Sequence, residues 1–383
     1  MSLLNRFVTK RRQLLLAILI LTILVFVSAC QASTPNPEPP KGDYCNSSKQ
    51  ETLLPTQPAS PLVTPGPQAE KPGATPILDP NLLSKRAGFG MANRADPEYW
   101  AGALESGWYL TWSVEKRSSG QIPEHWQTVR LGSNCMYPIL SYSRWAAALY
   151  PGSVWIIGNE PDVIWQDNVT PEEFARLYHD AYQAIKAADP TARLAVGGIS
   201  QGTPLRLAYL DRVLAEYQRL YHGVLPADWW TVHGYVLREQ HQSWGVEIPP
   251  GFSNLQGVLR EVKDHGRLDL FEEQIVAFRR WMANNGFRNT PLALTEFGIL
   301  MPAKYGYPTD FVVQYLYNTF DWLQNIKDDQ LGLPSDANHL VQRWAWFSLA
   351  YDLYPSPNLG NLATGELTPI GAAFRDYVIK NRP

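Results

Sequence analysis

Cysteine is scarce in this chain. Three occur in 383 residues, Cys30, Cys45 and Cys135, too few for a disulfide framework and without the paired spacing of a zinc site. Charge is scarce too: Asp, Glu, Lys and Arg make up 18% of the residues and nearly cancel, at a formal −3. With no basic cluster beyond residue 80, a nucleic-acid partner is not expected. No stretch repeats itself, which excludes a solenoid. A Gly-x-Ser-x-Gly elbow that would expose a nucleophilic serine is also missing. Gly88-Phe89-Gly90 begins a dinucleotide-type pattern, but Asn93 stands where its third glycine belongs and the fingerprint fails. His, Cys and Asp do not fall at metal-ligand spacings, so neither a metal nor another cofactor is expected.

Aromatic residues, by contrast, are plentiful. All 14 Trp lie beyond residue 80. Most will be core; flat rings of this kind also serve as platforms on which the C–H faces of sugars stack.

The one long apolar run, Leu14 to Ala29, follows Lys10, Arg11 and Arg12. A basic region and then an apolar one make an export signal. The run is 16 residues long, short of the roughly 20 that span a bilayer as a helix. It ends Val27-Ser28-Ala29-Cys30, which resembles the lipobox of bacterial lipoproteins. That resemblance implies a lipid on Cys30; an uncleaved anchor is the alternative. Both place the rest of the chain outside the cytoplasm, tethered to a membrane. Residues 31–80 hold 12 of the 31 prolines and no apolar periodicity, the composition of an extended, solvated stalk. The expected organisation is a signal and anchor at 1–30, a linker at 31–80 and a globular part at 81–383. Cys45 and Cys135 are left to pair in an oxidising compartment, although Cys45 lies in the linker.

The globular part alternates short apolar runs with amphipathic stretches. The runs are Ala87–Met91, Trp108–Trp112, Thr128–Leu131, Val154–Gly158, Leu194–Gly198, Trp230–Tyr235, Leu292–Glu296 and Arg343–Leu349. Between them lie helix signals. Thr170-Pro171-Glu172-Glu173 is a cap, a first-turn proline and an acidic third position, followed by Phe174, Leu177, Tyr178, Ala181 and Ile185 on one face. Asp269 opens another helix and Asn285-Gly286 closes it. Further helices are expected over Pro97–Ser106, Tyr142–Tyr150, Phe311–Ile326 and Ile370–Ile379, and around Leu210–Tyr217. Eight strand–helix units predict an α/β fold of the (β/α)₈ barrel type, with a doubly wound sheet as the alternative.

Two strands end in a carboxylate. Val154-Trp155-Ile156-Ile157 runs into Gly158-Asn159-Glu160-Pro161-Asp162, and Leu292-Ala293-Leu294 into Thr295-Glu296-Phe297-Gly298. A buried carboxylate needs partners or a task. Pro161 steers Glu160 out of the helical region and predicts an extended residue there. In barrels of this type the chemistry sits at the C-terminal ends of the strands. Acids on the fourth and seventh strands would face one another across the mouth. The long segments Val236–Leu268 and Ala350–Thr368 would wall that face.

Asn159-Glu160-Pro161 and Thr295-Glu296-Phe297-Gly298 resemble the retaining glycoside hydrolases of clan A, which include cellulase-like and β-1,3-glucanase-like barrels. Trp230-Thr231-Val232-His233-Gly234-Tyr235, Trp344-Ala345-Trp346 and Gly365-Glu366-Leu367-Thr368-Pro369-Ile370-Gly371 resemble the clan's sixth strand, eighth strand and last helix. The resemblance implies that Glu160 is the acid/base and Glu296 the nucleophile. It implies Asn159 on the sugar 2-hydroxyl, Tyr235 on Glu296, His233 near the substrate and Trp346 under a sugar ring. Trp112, Trp165 and Trp244 are further platform candidates, and Asp162 reads as a brace for its loop. An arginine near the nucleophile is common in the clan; Arg86 and Arg130 are the two candidates. The expected activity is hydrolysis of a β-linked polysaccharide by an internally cutting, monomeric, membrane-tethered enzyme, with carbohydrate its only partner besides the membrane. A transglycosylase would use the same two glutamates. A non-catalytic glycan-binding lipoprotein would be expected to have lost one of them, and a solute-binding lipoprotein would need two lobes.

Overall fold

The structure is a computed structural model and describes residues 83–92, 95–115 and 122–381. The basic and apolar export signal, Cys30, Cys45 and the proline-rich stretch lie outside the described residues. Cys135 is disulfide-bonded. No helix among the described residues is long and apolar enough to cross a membrane.

Eight parallel strands close on themselves. They are β1 (Ala87–Gly90), β2 (Trp108–Leu110), β3 (Glu124–Gly132), β4 (Val154–Ile157), β5 (Arg193–Ile199), β6 (Trp229–His233), β7 (Leu292–Phe297) and β8 (Arg343–Trp346). Each pairs with the next, and β8 returns to β1 with Ala87 opposite Trp344. The fold is a (β/α)₈ barrel. Every expected strand is present. β3 starts four residues before its expected first residue, Thr128, and β8 stops at Trp346, short of Leu349. A short antiparallel strand, Cys135–Tyr137, folds back on β3.

Among the described residues, seven helices of eight residues or more pack outside: α1 (Pro97–Leu104), α2 (Leu140–Leu149), α3 (Pro171–Ala188), α4 (Pro204–Tyr221), α5 (Leu268–Asn284), α6 (Thr309–Asn325) and α7 (Pro369–Lys380). Among the described residues no helix joins β2 to β3. The Thr170 hydroxyl accepts the Glu173 N–H at 3.3 Å, as a cap should. The α5 start differs from expectation: it begins at Leu268 without a side-chain cap, one residue ahead of Asp269.

Strand alternation sorts side chains into two cores. Outward positions such as Trp155, Ile157, Trp344 and Trp346 pack under the helices. Inward positions fill the barrel: Trp108, Leu110, Trp126, Val154, Ile156, Ala195, Trp229, Ala293 and Ala345. The indoles of Trp108, Trp126 and Trp229 touch in sequence, with ring centroids 4.9 and 5.0 Å apart. Three such rings fit only because their neighbours are small. At Gly88 a Cβ would lie 2.3 Å from the Trp108 ring, so this glycine makes room for an indole.

The strand starts carry a charge cluster that closes the floor of the barrel. Glu124 takes Arg343 Nη1 at 2.6 Å and Arg193 Nη2 at 2.7 Å, one on each oxygen. The Arg343 guanidinium lies 5.4–5.9 Å from the centroids of the three interior indoles, a cation on aromatic faces. Burial alone would raise the Glu124 carboxyl, but the Arg343 and Arg193 charges outweigh it and hold it below the ordinary glutamate value. A depressed carboxylate contributes stability above its unfolded pKa and loses it as pH falls through the folded one. Denaturant unfolding of the wild type should therefore weaken on acidification below the ordinary glutamate range. Arg343→Ala should cost about 3 kcal/mol at neutral pH and flatten that acid dependence. An Arg343→Ala unfolding midpoint within error of the wild type would show that the floor cluster holds nothing together.

Candidate active site

At the opposite end of the barrel the β4 strand stops at Ile157, and the chain turns over the mouth. Gly158 has φ +89°, and its N–H still bonds Val129 O at 2.7 Å. Glu160 is not extended, contrary to what Pro161 suggests: its φ is +44°. A non-glycine residue in the left-handed region costs about 1–3 kcal/mol unless its surroundings hold it. Here they do. Its N–H bonds Gly198 O at 2.9 Å, and its carbonyl accepts the Val163 N–H at 3.0 Å. Proline disfavours only the right-handed helical region before it, so the left-handed conformation is open. It is taken because the strand must reverse within one turn.

Asp167 fixes the same loop from below. Its carboxylate accepts the N–H groups of Asn159 (2.7 Å) and Leu131 (2.9 Å) and the Arg130 Nε–H (2.5 Å). Asp162 is fully buried and braces the loop, as its position suggested, through Ser200 and Arg206. Burial pushes its carboxyl up; the Arg206 charge opposes this and Glu160 adds to it.

Glu296 lies in β7, which runs one residue beyond the expected Leu292–Glu296. Its Oε1 accepts the Trp112 indole N–H at 2.7 Å, and its Oε2 accepts the Tyr235 hydroxyl at 3.1 Å. Burial pushes the Glu296 carboxyl above its ordinary value. The His233 charge opposes that, Glu160 adds to it, and the Trp112 and Tyr235 donors oppose it again. The two donors and the His233 charge favour the ionised form against that burial. Tyr235 is itself held far above the usual phenol range by burial and by the two glutamates, so it stays a neutral donor.

His233 stands between the two acids. Its Nδ1 lies 3.0 Å from Glu160 Oε1 and its Nε2 3.6 Å from Glu296 Oε1. Burial would lower its pKa, but Glu296 and the hydrogen-bonded Glu160 raise it above the ordinary value. Both acids thus favour the protonated form of the ring. One ligand atom from each of the three residues lies within 4.8 Å of the others, close enough for a metal ion. The ring, however, turns a different nitrogen to each acid. An ion bonded to one nitrogen would leave the other facing a carboxylate, so the arrangement suits protons better than a metal.

The aromatic candidates divide. Trp346 is not a platform: it has no exposed surface, its N–H bonds Pro357 O at 2.8 Å, and it packs edge-on against Phe297. The strand period explains this. Ala345 points into the barrel, so Trp346 must point out, under the helices. Trp112 and Trp244 are half-buried in an apolar collar with Val163, Leu237, Val246 and Phe347, and Trp165 is 72% exposed. Asn159 is buried beside Glu160, with its side-chain amide unpaired among the described residues. Neither Arg86 nor Arg130 reaches Glu296: Arg86 bonds Asp336 and Val341 O, and Arg130 bonds Asp167 and Gln166. The place near Glu296 is taken by Trp112, whose donor role had no local sequence signal beyond its position just after β2. Arg206, central to the loop contacts, had no signal at all.

No protein-family model and no curated protein matches the chain. Solved structures do. A GH128 (subgroup I) endo-β-1,3-glucanase from Amycolatopsis mediterranei, in complex with laminarihexaose, aligns with a TM-score of 0.52 at 17% identity, over 76% of this chain and 99% of that one. A structure of that enzyme with laminaritriose aligns with the same score, identity and coverage, 0.52, 17%, 76% and 99%. At this identity the likeness is one of fold.

The electrostatics of the site can be tested without a substrate. In a carbon-13 carboxyl titration followed by NMR, Glu296 should titrate above the ordinary glutamate value of about 4.3. Trp112→Phe removes a donor to the ionised form and should move it further up; His233→Asn removes the bridging cation and should do the same. A Glu296 titration that stays put in both variants would refute this account of the pair.

Proposed function

We propose that the barrel is a retaining glycoside hydrolase acting on β-1,3-glucan. The observation that carries this reading is the pair of acids across His233, with one oxygen of Glu160 and one of Glu296 no more than 4.8 Å apart. Retaining enzymes hold their carboxyl groups about 5–5.5 Å apart, whereas inverting ones need about 6.5–9.5 Å to admit a water. The asymmetry of the surroundings supports the division of labour. Glu296 receives two neutral donors and faces a cation, which suits a nucleophile that must be ionised. Glu160 has the single side-chain partner His233 among the described residues, against Trp112, Tyr235 and His233 around Glu296, and the carboxyl with fewer partners suits the acid that carries and returns a proton.

In the first step a Glu296 oxygen attacks the anomeric carbon while Glu160 gives its proton to the departing glycosidic oxygen. The glycosyl-enzyme is neutral at Glu296. Glu160, now a carboxylate, takes a proton from water as that water attacks the same carbon, and Glu296 leaves as a carboxylate. The unpaired Asn159 amide is placed to hold the sugar 2-hydroxyl. The substrate class is drawn from the fold neighbours described as endo-β-1,3-glucanases with laminari-oligosaccharides bound. The N-terminal export pattern ending at Cys30 supports action outside the cytoplasm from a membrane tether.

A panel of β-1,3-, β-1,4- and mixed-linkage glucans tests the reading. Wild type should release oligosaccharides from β-1,3-glucan, with new reducing ends appearing first as the β anomer by proton NMR. Glu160→Gln and Glu296→Gln should each lose about 10²–10⁴-fold or more. Turnover that survives both substitutions, or α-anomer product, would sink the assignment.

A further inference from the structure

The mechanism leaves one buried cation unexplained. Arg206, in the first turn of α4, has no exposed surface and touches neither acid. Its guanidinium instead bonds five groups on two other segments. Nη1 donates to the Asp162 carbonyl at 2.8 Å and also to the Asp162 carboxylate. Nε donates to Glu239 Oε1 at 2.9 Å. Nη2 donates to the carbonyls of Val246 (3.1 Å) and Glu247 (2.8 Å). Asp162 is gripped from its other side by the Ser200 N–H at 3.2 Å and the Ser200 hydroxyl at 3.0 Å. Glu239 is likewise held by Gln201, Thr203 and the Val258 N–H.

These bonds meet the turn that carries Glu160. Glu160-Pro161-Asp162-Val163 is closed by the Val163 N–H on Glu160 O at 3.0 Å, with Glu160 in the left-handed region at +44°. Pro161 has no N–H to give, and Glu160 spends its own on Gly198. Besides the Val169 N–H on the Pro161 carbonyl at 3.0 Å, the turn is anchored at Asp162, held through both its main chain and its side chain. We propose that Arg206, acting through Asp162, is a positioning residue that holds Glu160 in the left-handed conformation from which it delivers its proton. This inference rests on the glycosidase reading. The planar fork matters, because five acceptors at fixed directions cannot be served by a lysine ammonium. The same guanidinium ties the loop after β6 to the acid's turn, so the cleft wall and the acid are set by one group.

The test exploits what the proton is for. As the bond from the anomeric carbon to the leaving oxygen breaks and Glu296 bonds to that carbon, a sugar leaving group needs the Glu160 proton to depart as a neutral alcohol. A 2,4-dinitrophenolate departs as a stable anion without it. The readout is the ratio of kcat/KM for 2,4-dinitrophenyl β-laminaribioside to kcat/KM for a laminari-oligosaccharide. Being measured on one preparation, it cancels the fraction of protein that is correctly folded. Arg206→Met and Asp162→Asn should raise the ratio about 10-fold or more, a part of the 10²–10⁴-fold that a general acid supplies. Azide should accelerate their turnover of the dinitrophenyl substrate by replacing the water that Glu160 no longer activates. Arg206→Lys should resemble Arg206→Met. If Arg206→Met does not fold, Asp162→Asn and Ser200→Ala carry the same ratio, with a smaller rise in the latter. Equal losses on both substrates, with no response to azide, would overturn the proposal and leave Arg206 a purely structural residue. A wild type that turns over neither substrate would overturn the glycosidase reading itself.

Discussion

Two carboxylates and one imidazole share a buried pocket at the barrel mouth, and much of the surrounding structure answers to that burial. A carboxylate taken out of water must be paired, hydrogen-bonded or protonated. His233 supplies a cation between Glu160 and Glu296, and Trp112 and Tyr235 supply donors to Glu296 alone. The result is a pair of chemically identical side chains in unequal surroundings. Such inequality is what allows one acid to stay ionised while its neighbour carries a proton.

The loops inherit the same constraint. Asp162, Asp167 and Glu239 are further buried acids around the mouth, each matched to an arginine or to main-chain N–H groups. They convert the short link after β4 into a rigid turn and fasten the long segment after β6 to it. At the floor of the barrel the problem has another solution: Arg343 is buried against three indoles and shares Glu124 with Arg193. There the charges neutralise one another beneath the interior indoles. At the upper end most charges are buried as well, and the two acids Glu160 and Glu296 keep a small exposed surface, 8% and 6%.

Much of the fold was legible because strand and helix periods are local. Val154–Ile157 and Leu292–Leu294 announce themselves as buried strands, and Thr170-Pro171 as a helix start, from neighbouring residues only. The acids were legible for the same reason, since a carboxylate on a turn directly after an apolar run is anomalous in its local setting. The Tyr235 contact with Glu296 was what the family resemblance implied, and the structure has it at 3.1 Å. Trp346 was misjudged because its role turns on the phase of β8. One residue of phase separates a side chain in the barrel from one under the helices. The φ of Glu160 was missed because a proline constrains the residue before it without choosing between the remaining regions.

The amino-acid sequence by itself determined the alternation of strands and helices and the two acids that break that pattern. Each depends on residues within a few positions of one another. Only the tertiary structure decided which donors Glu296 receives, where the charge of His233 falls and what holds Glu160. Those partners come from β2, β6 and α4, tens to hundreds of positions away, and barrel closure alone brings them within hydrogen-bonding distance. Arg206 is the plainest case. On its helix it is one arginine among several, and its meaning lies in five acceptors that the fold assembles around it.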